Sequence, residues 1–150
     1  VTFASAGQCL DTGTKTVHIG KNTVSEMHSR SIAKNGGESN YRGLLVIGKE
    51  ATGAKALAEC ESLMLDNESR TDTIPIIESH TDDADIGHEA KIGRISDSMI
   101  LYLMQRGLDE ATAKSLIIKG FVEPISKELP LEYAVELNNL ISIELEGTIG

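Results

Sequence analysis

Apolar and polar positions alternate in two different styles along this chain, and the change falls near Ile95. Before it, short apolar clusters are broken by Gly, Asn, Asp, Ser and Thr, and no stripe keeps helical spacing for long. Strand-like runs fall at 24–32, 44–47, 56–65, 74–79 and 84–90. Turn-rich segments such as Lys34-Asn35-Gly36-Gly37 and Leu65-Asp66-Asn67-Glu68-Ser69 separate them. The runs also repeat weakly. Thr16-Val17-His18-Ile19-Gly20-Lys21 resembles Leu44-Leu45-Val46-Ile47-Gly48-Lys49, and Ile74-Pro75-Ile76-Ile77-Glu78 is a fainter third copy. Taking Ile19, Ile47 and Ile77 as anchors gives intervals of 28 and 30 residues, a period that belongs to solenoids and arrays. Strands with no helix between them leave a sandwich or a β-helix, and the steady period favours the β-helix.

After Ile95 the pattern predicts three helices. Ser96 or Asp97 caps the first, with Met99, Ile100, Leu103 and Met104 on its apolar face and Gly107 just past its end. Asp109 caps the second, which carries Ala113, Leu116 and Ile117 and is expected to be interrupted or kinked at Pro124. Pro130 opens the third, which carries Leu131, Ala134, Val135, Leu137, Leu140, Ile141 and Leu145 and is expected to end at Gly147. Residues 1–95 are thus expected to be the C-terminal part of a β-helix core, and 96–150 a helical region.

Composition agrees with a narrow interior. There is no Trp, with two Phe and three Tyr, so Val, Ile, Leu and Ala must fill the core, as they do between the coils of a solenoid. The net charge of −9 repels phosphate backbones and anionic membranes, which argues against nucleic-acid or membrane partners. No apolar stretch is long enough to span a bilayer. Cys9 and Cys60 make no disulfide framework in a chain of 150 residues, so free thiols in a reducing cytoplasm are expected. The chain opens on Val rather than Met and reads as a piece of a longer protein.

Cys60 with His88-Glu89 is the leading chemical constellation. The separations of 28 and 29 residues are close to the repeat period, and neighbouring coils of a β-helix lie roughly 5 Å apart. Thiolate, imidazole and carboxylate are the ligand types that hold iron or zinc. From spacing alone, a buried Cys beside a surface His–Glu pair is the simpler reading. The acidic stretch His80-Thr81-Asp82-Asp83-Ala84-Asp85 lacks the fixed spacing of a calcium loop and reads as a solvated turn. His18 is expected to point outward from a strand, His28 to lie on the surface, and Cys9 to pack. Gly20-Lys21 and Gly48-Lys49 follow strand ends without the surroundings of a phosphate-binding loop.

Several segments, in one order, resemble the SufB/SufD family. They are Asp11–Thr23, Tyr41-Arg42-Gly43-Leu44, Cys60-Glu61-Ser62-Leu63-Met64-Leu65, Gly87-His88-Glu89-Ala90 with Lys91–Ile95, Leu101–Leu108, Leu129–Glu136 and Leu145–Gly150. The resemblance implies a scaffold for iron–sulfur cluster assembly, built as a right-handed parallel β-helix followed by helices. It implies that two such β-helices pair, that the C-terminal helices dock the ABC-type ATPase SufC, and that a transient cluster forms at the interface of the pair. It implies no catalysis by this chain, the ATPase activity belonging to SufC. Cys60 then matches the family's cysteine ligand, and His88 and Glu89 the neighbouring imidazole and carboxylate, as iron ligands. Having Cys60, and Glu89 where related SufD proteins carry Gly, the chain resembles SufB. Its partner would be SufD or, as in the shorter family members that Asp66–Ile77 resembles, a second copy of itself. The alternative is a SufD-like structural, ATPase-docking partner with no cluster of its own. A solenoid acyltransferase using His18 or His88 is disfavoured because its hexapeptide repeat is missing.

Overall fold

In the computed structural model, which describes residues 1–146, strands pair with the strand one coil away and not with their neighbours in sequence. Strands β1 (Thr2–Ala4), β3 (Val24–Ala33), β5 (Ala54–Met64) and β7 (Ala84–Arg94) form one parallel sheet. Strands β2 (Cys9–His18), β4 (Glu38–Ile47) and β6 (Arg70–Ser79) form a second. Alternation between the two sheets makes a parallel β-helix of about three turns.

The corners are what permit this path. Each coil must turn sharply between sheets, and the left-handed conformation needed there falls on Asn22 (φ 55°), Asn35 (φ 53°), Gly36 (φ 76°) and Gly53 (φ 70°). Corner backbone groups also bond upward, from Asn22 N–H to the Thr52 carbonyl and from Gly53 N–H to the Asp83 carbonyl, both between successive coils.

Register corrects the repeat read from the sequence. Thr2 lies opposite Ser31, Val24 opposite Lys55 and Ala54 opposite Ala84, so coils in the first sheet are 29, 31 and 30 residues long. In the second sheet, Ile47 stacks between His18 and Ser79, and Ile77 lies over Leu45. The anchors Ile19, Ile47 and Ile77 therefore do not stack on one another, and Ile19 sits exposed just past β2. Corners of unequal length absorb the extra residues.

Alternation along each strand separates an inner from an outer face. On β5 the inner row is Ala54, Ala56, Ala58, Cys60 and Ser62, all buried. Opposite it, β4 sends in Ser39, Tyr41, Gly43, Leu45 and Ile47. Small side chains facing larger aliphatics fill the gap between sheets, with Met27, Leu45, Ile47 and the β5 alanines as the core cluster.

Residues Val1–Arg94 and Ile95–Gly150 form two compact units. In the second, α1 (Asp97–Gln105) is capped by Ser96, and Gly107 follows its end at φ 95°. Asp109 caps α2 (Glu110–Glu128) through the Thr112 amide. This helix runs on past Pro124 for another turn, so the expected interruption does not occur. Helix α3 (Leu131–Glu146) starts after Pro130; the expected stop at Gly147 lies outside the described residues. Ala113, Ile118, Val122 and Ile141 are buried, while one apolar group after another stays exposed: Met99, Leu101 and Tyr102 on α1, and Leu131, Tyr133, Val135 and Ile143 on α3.

Candidate functional site

Cys60 points into the β-helix from β5, an interior strand of its sheet next to the edge strand β7. It lies in register with Ser29 on one side and Ala90 on the other, and only 3% of its surface is exposed. His88 lies opposite Ala58, one pair before Ala90 on the same face of β7. Two-residue periodicity thus puts the thiol and the imidazole on one inner face, on adjacent coils. Both line a small apolar chamber together with Met27, Tyr41, Pro75 and Ile77. Burial pushes the Cys60 thiol above its usual range, and the positive charge of Arg30 works against that. The group therefore rests as a neutral thiol at neutral pH and must lose its proton when a metal binds.

Glu89 does not join them. Consecutive residues of a strand face opposite sides, so an inward His88 sends Glu89 outward, into register with Glu59. There the Lys91 Nζ lies 2.8 Å from its carboxylate, and this hydrogen bond and charge hold Glu89 below the usual carboxylate range. Lys91 also reaches Glu61 at 3.4 Å, Glu61 pairs with Arg30 at 3.2 Å, and Glu59 bonds His28 at 2.8 Å. The outer face is a lattice of charge pairs, whereas the inner face holds thiol and imidazole. Among the described residues, no group of three or more His, Cys, Asp or Glu side chains is placed to hold a metal ion.

The site stands at an end of the β-helix. Strands β6 and β7 are the last of their sheets, so each keeps one edge without a partner strand among the described residues. Inner-face residues of this last coil are correspondingly uncovered: Ile77 is 41% and Ile92 51% exposed. His88 belongs to this coil, and Cys60 lies one coil deeper.

The remaining candidates separate from the site. His18 points inward, contrary to expectation, and is buried at 3% with its ring nitrogens 2.6 Å from the Thr23 hydroxyl and 2.7 Å from that of Ser25. Those hydroxyls offset the burial of a polar ring. Cys9 is exposed and does not pack. His28 is half-buried on the outer face. His80–Asp83 form the turn before β7. Arg30, whose charge acts on Cys60, was not singled out by the sequence. Its only signal was its place in the alternating run Glu26, His28, Arg30.

Comparison with known proteins places these features in context. A family described as "SUF system FeS cluster assembly, SufBD core domain" matches residues 1–121. An "Iron-sulfur cluster assembly SufBD family protein" of Staphylococcus epidermidis is 49% identical over 150 residues, covering 100% of this chain and 32% of the relative. One from Staphylococcus aureus is likewise 49% identical over the whole chain. One from Mycobacterium leprae is 46% identical, the match taking up 17% of its length. The chain spans about a third of the length of the staphylococcal relatives.

Proposed function

The chain belongs to the SufBD core family of iron–sulfur cluster assembly proteins, and from that premise we propose that it is the part of a scaffold subunit that holds a nascent cluster. Cys60 supplies the soft sulfur ligand and His88 an imidazole. Further ligands come from a second β-helix, either another copy or a SufD-like partner, placed against the β6–β7 end. Glu89 stands at the rim of that end and reaches iron only after parting from Lys91, which makes it the exchangeable member of the set. A scaffold must release its cargo, and a mixed set of thiolate, imidazole and carboxylate binds iron less firmly than four thiolates.

The observation that carries this reading is the shared chamber of Cys60 and His88, at an end whose strand edges and apolar residues are uncovered. Free strand edges seek partners. A two-fold axis there would run each strand antiparallel to its copy and enclose both chambers between the two copies. The exposed apolar residues of α1 and α3 suit a docking surface for the ATPase SufC, whose closure would strain the paired end and free the cargo.

Anaerobic reconstitution of the full-length protein with SufC, ferrous iron and sulfide tests the proposal. Cys60→Ala should lose the sulfide-to-iron charge-transfer absorption, and His88→Ala should shorten the cluster's lifetime. A Cys60→Ala protein that assembles and transfers clusters like the parent would leave only the SufD-like, docking role.

A further inference from the structure

Strand β7 complements itself when reversed. It is the edge strand of its sheet among the described residues, and every residue from His88 to Arg94 is exposed, those facing inward as well as those facing outward. Its neighbour at this end, β6, contains Pro75, which has no N–H to offer a new strand, whereas β7 contains no proline. Between Gly87 and Gly93 the strand reads His-Glu-Ala-Lys-Ile, with opposite charges at equal distances on either side of Ala90. Within one copy Glu89 and Lys91 already meet at 2.8 Å, so both charges are ordered along the edge before a second strand arrives.

A two-fold axis sets a strand antiparallel to its own copy, and inward residues must face inward ones if the interior is to continue. The axis therefore crosses β7 at a residue and not between two. With the axis at Ala90, Glu89 faces the partner's Lys91 on the outer side, Lys91 faces the partner's Glu89, and Gly87 faces the partner's Gly93. The other positions fit less well. An axis at Glu89 or Lys91 sets like charges face to face, one at Gly87 sets Asp85 against Glu89, and one at His88 leaves Glu89 facing a glycine. The existing ladder also continues across Ala90. Arg30, Glu61 and Lys91 stand in one row, and the partner's Glu89 extends it with the signs alternating.

We propose that the occupant of the β7 edge is a second copy of this chain, paired antiparallel about Ala90 and recognised through Glu89 and Lys91. The inference deepens the scaffold reading by naming the partner, and it rests on that reading for what the pair encloses. Cys60 is in register with Ala90. The two thiols then lie on one row across the axis, three strand spacings or about 14 Å apart. Only the methyl groups of the two Ala90 residues stand between them on the inner face. His88 flanks the row on one side and the partner's His88 on the other, so the second copy supplies half of the site.

The test is sedimentation velocity of the full-length protein and two charge-reversed variants, with circular dichroism to verify folding. Glu89→Lys and Lys91→Glu each set like charges face to face twice across the axis, so each variant alone should pair roughly tenfold more weakly than the parent. Mixing the two variants brings opposite charges back together at both contacts. The equimolar mixture should therefore pair as the parent does, and so should the protein carrying both changes. An axis at His88 gives a different result, because Lys91 would then face Asp85 and Lys91→Glu would stay impaired in both cases. Single variants that pair like the parent, or weakened ones that neither mixing nor the double change rescues, overturn the proposal. So does a parent protein that stays single at every concentration, the outcome if the edge belongs to a SufD-like partner. Reconstitution with Cys60→Ala judges the scaffold reading separately, so each idea fails on its own measurement.

Discussion

Asp66 ties down a corner of the β-helix. Its carboxylate accepts hydrogen bonds from the backbone N–H groups of Asn35, Glu68 and Ser69 and from the Ser69 hydroxyl. Burial alone would raise its pKa, but these bonds outweigh it and hold the group below the usual carboxylate value. The native state therefore binds this proton less readily than the unfolded chain. The stabilisation is complete above the unfolded value, near 4 on the usual scale, and disappears as pH falls through the lower folded value. Asp66→Asn should melt earlier than the parent at neutral pH, and the gap should close in strong acid. Melting curves that stay equally far apart at both ends would show that the charge does not hold the corner. The same single-residue view explains what could be read of the site. That Cys60 and His88 share a face follows from an even offset: with a coil of 30 residues in this sheet, a separation of 28 is two positions short of stacking. That Glu89 leaves them follows from its adjacency to His88, a signal present in the sequence as soon as the segment is accepted as a strand. His18 was harder, because Val17-His18-Ile19 gives an inward imidazole and an outward one the same pattern. Only Thr23 and Ser25, across the corner, decide it.

At the level of elements, the helices were the most legible part, since caps are local chemistry. Ser96, Asp109 and Gly107 act where their residue types predict. Helix α2 continues through Pro124 because a proline blocks only one backbone hydrogen bond, and the buried residues Val122 and Ser126 on either side keep the helix packed. The solenoid period was visible, but the register was not, since similarity between Thr16–Lys21 and Leu44–Lys49 says nothing of how many residues each corner consumes. Corners are where backbone meets backbone. A Cβ on Gly37 would lie 2.6 Å from the Ala4 carbonyl oxygen and 2.8 Å from the Ser5 nitrogen, neither of which is able to swing aside as a side chain would. Gly37→Ala should therefore cost about 1–3 kcal/mol, the range for overpacking, visible as a lower urea midpoint. Gly93→Ala is the matched control. Nothing lies within 4 Å of a Cβ there, so its midpoint should barely move. Equal midpoints for the two variants would refute the close-approach argument.

For the whole molecule, the question is what covers the β6–β7 end. The aromatic-poor composition pointed to a narrow interior, but no property of a sequence marks where a solenoid stops, so the exposed end had to come from the structure. The proposed pairing predicts that this end carries association while contributing little to the fold of a single copy. Ile92 allows the two to be separated, being inward-facing yet 51% exposed. Ile92→Lys should leave the β-helix folded, because the ammonium still reaches water in the unpaired chain. Once a second β-helix covers it, the same ammonium must be desolvated, and pairing should weaken at least about tenfold, equivalent to ~1.4 kcal/mol. Ile19→Lys gives the contrast: Ile19 is 79% exposed, and it follows β2, at the opposite edge of the second sheet from β6. It should change neither fold nor pairing. Sedimentation velocity of the full-length proteins over a range of concentrations, with circular dichroism to verify folding, reads both quantities. If Ile92→Lys pairs as tightly as the parent, the β6–β7 end is not the contact, and the second set of ligands for Cys60 and His88 must be sought elsewhere.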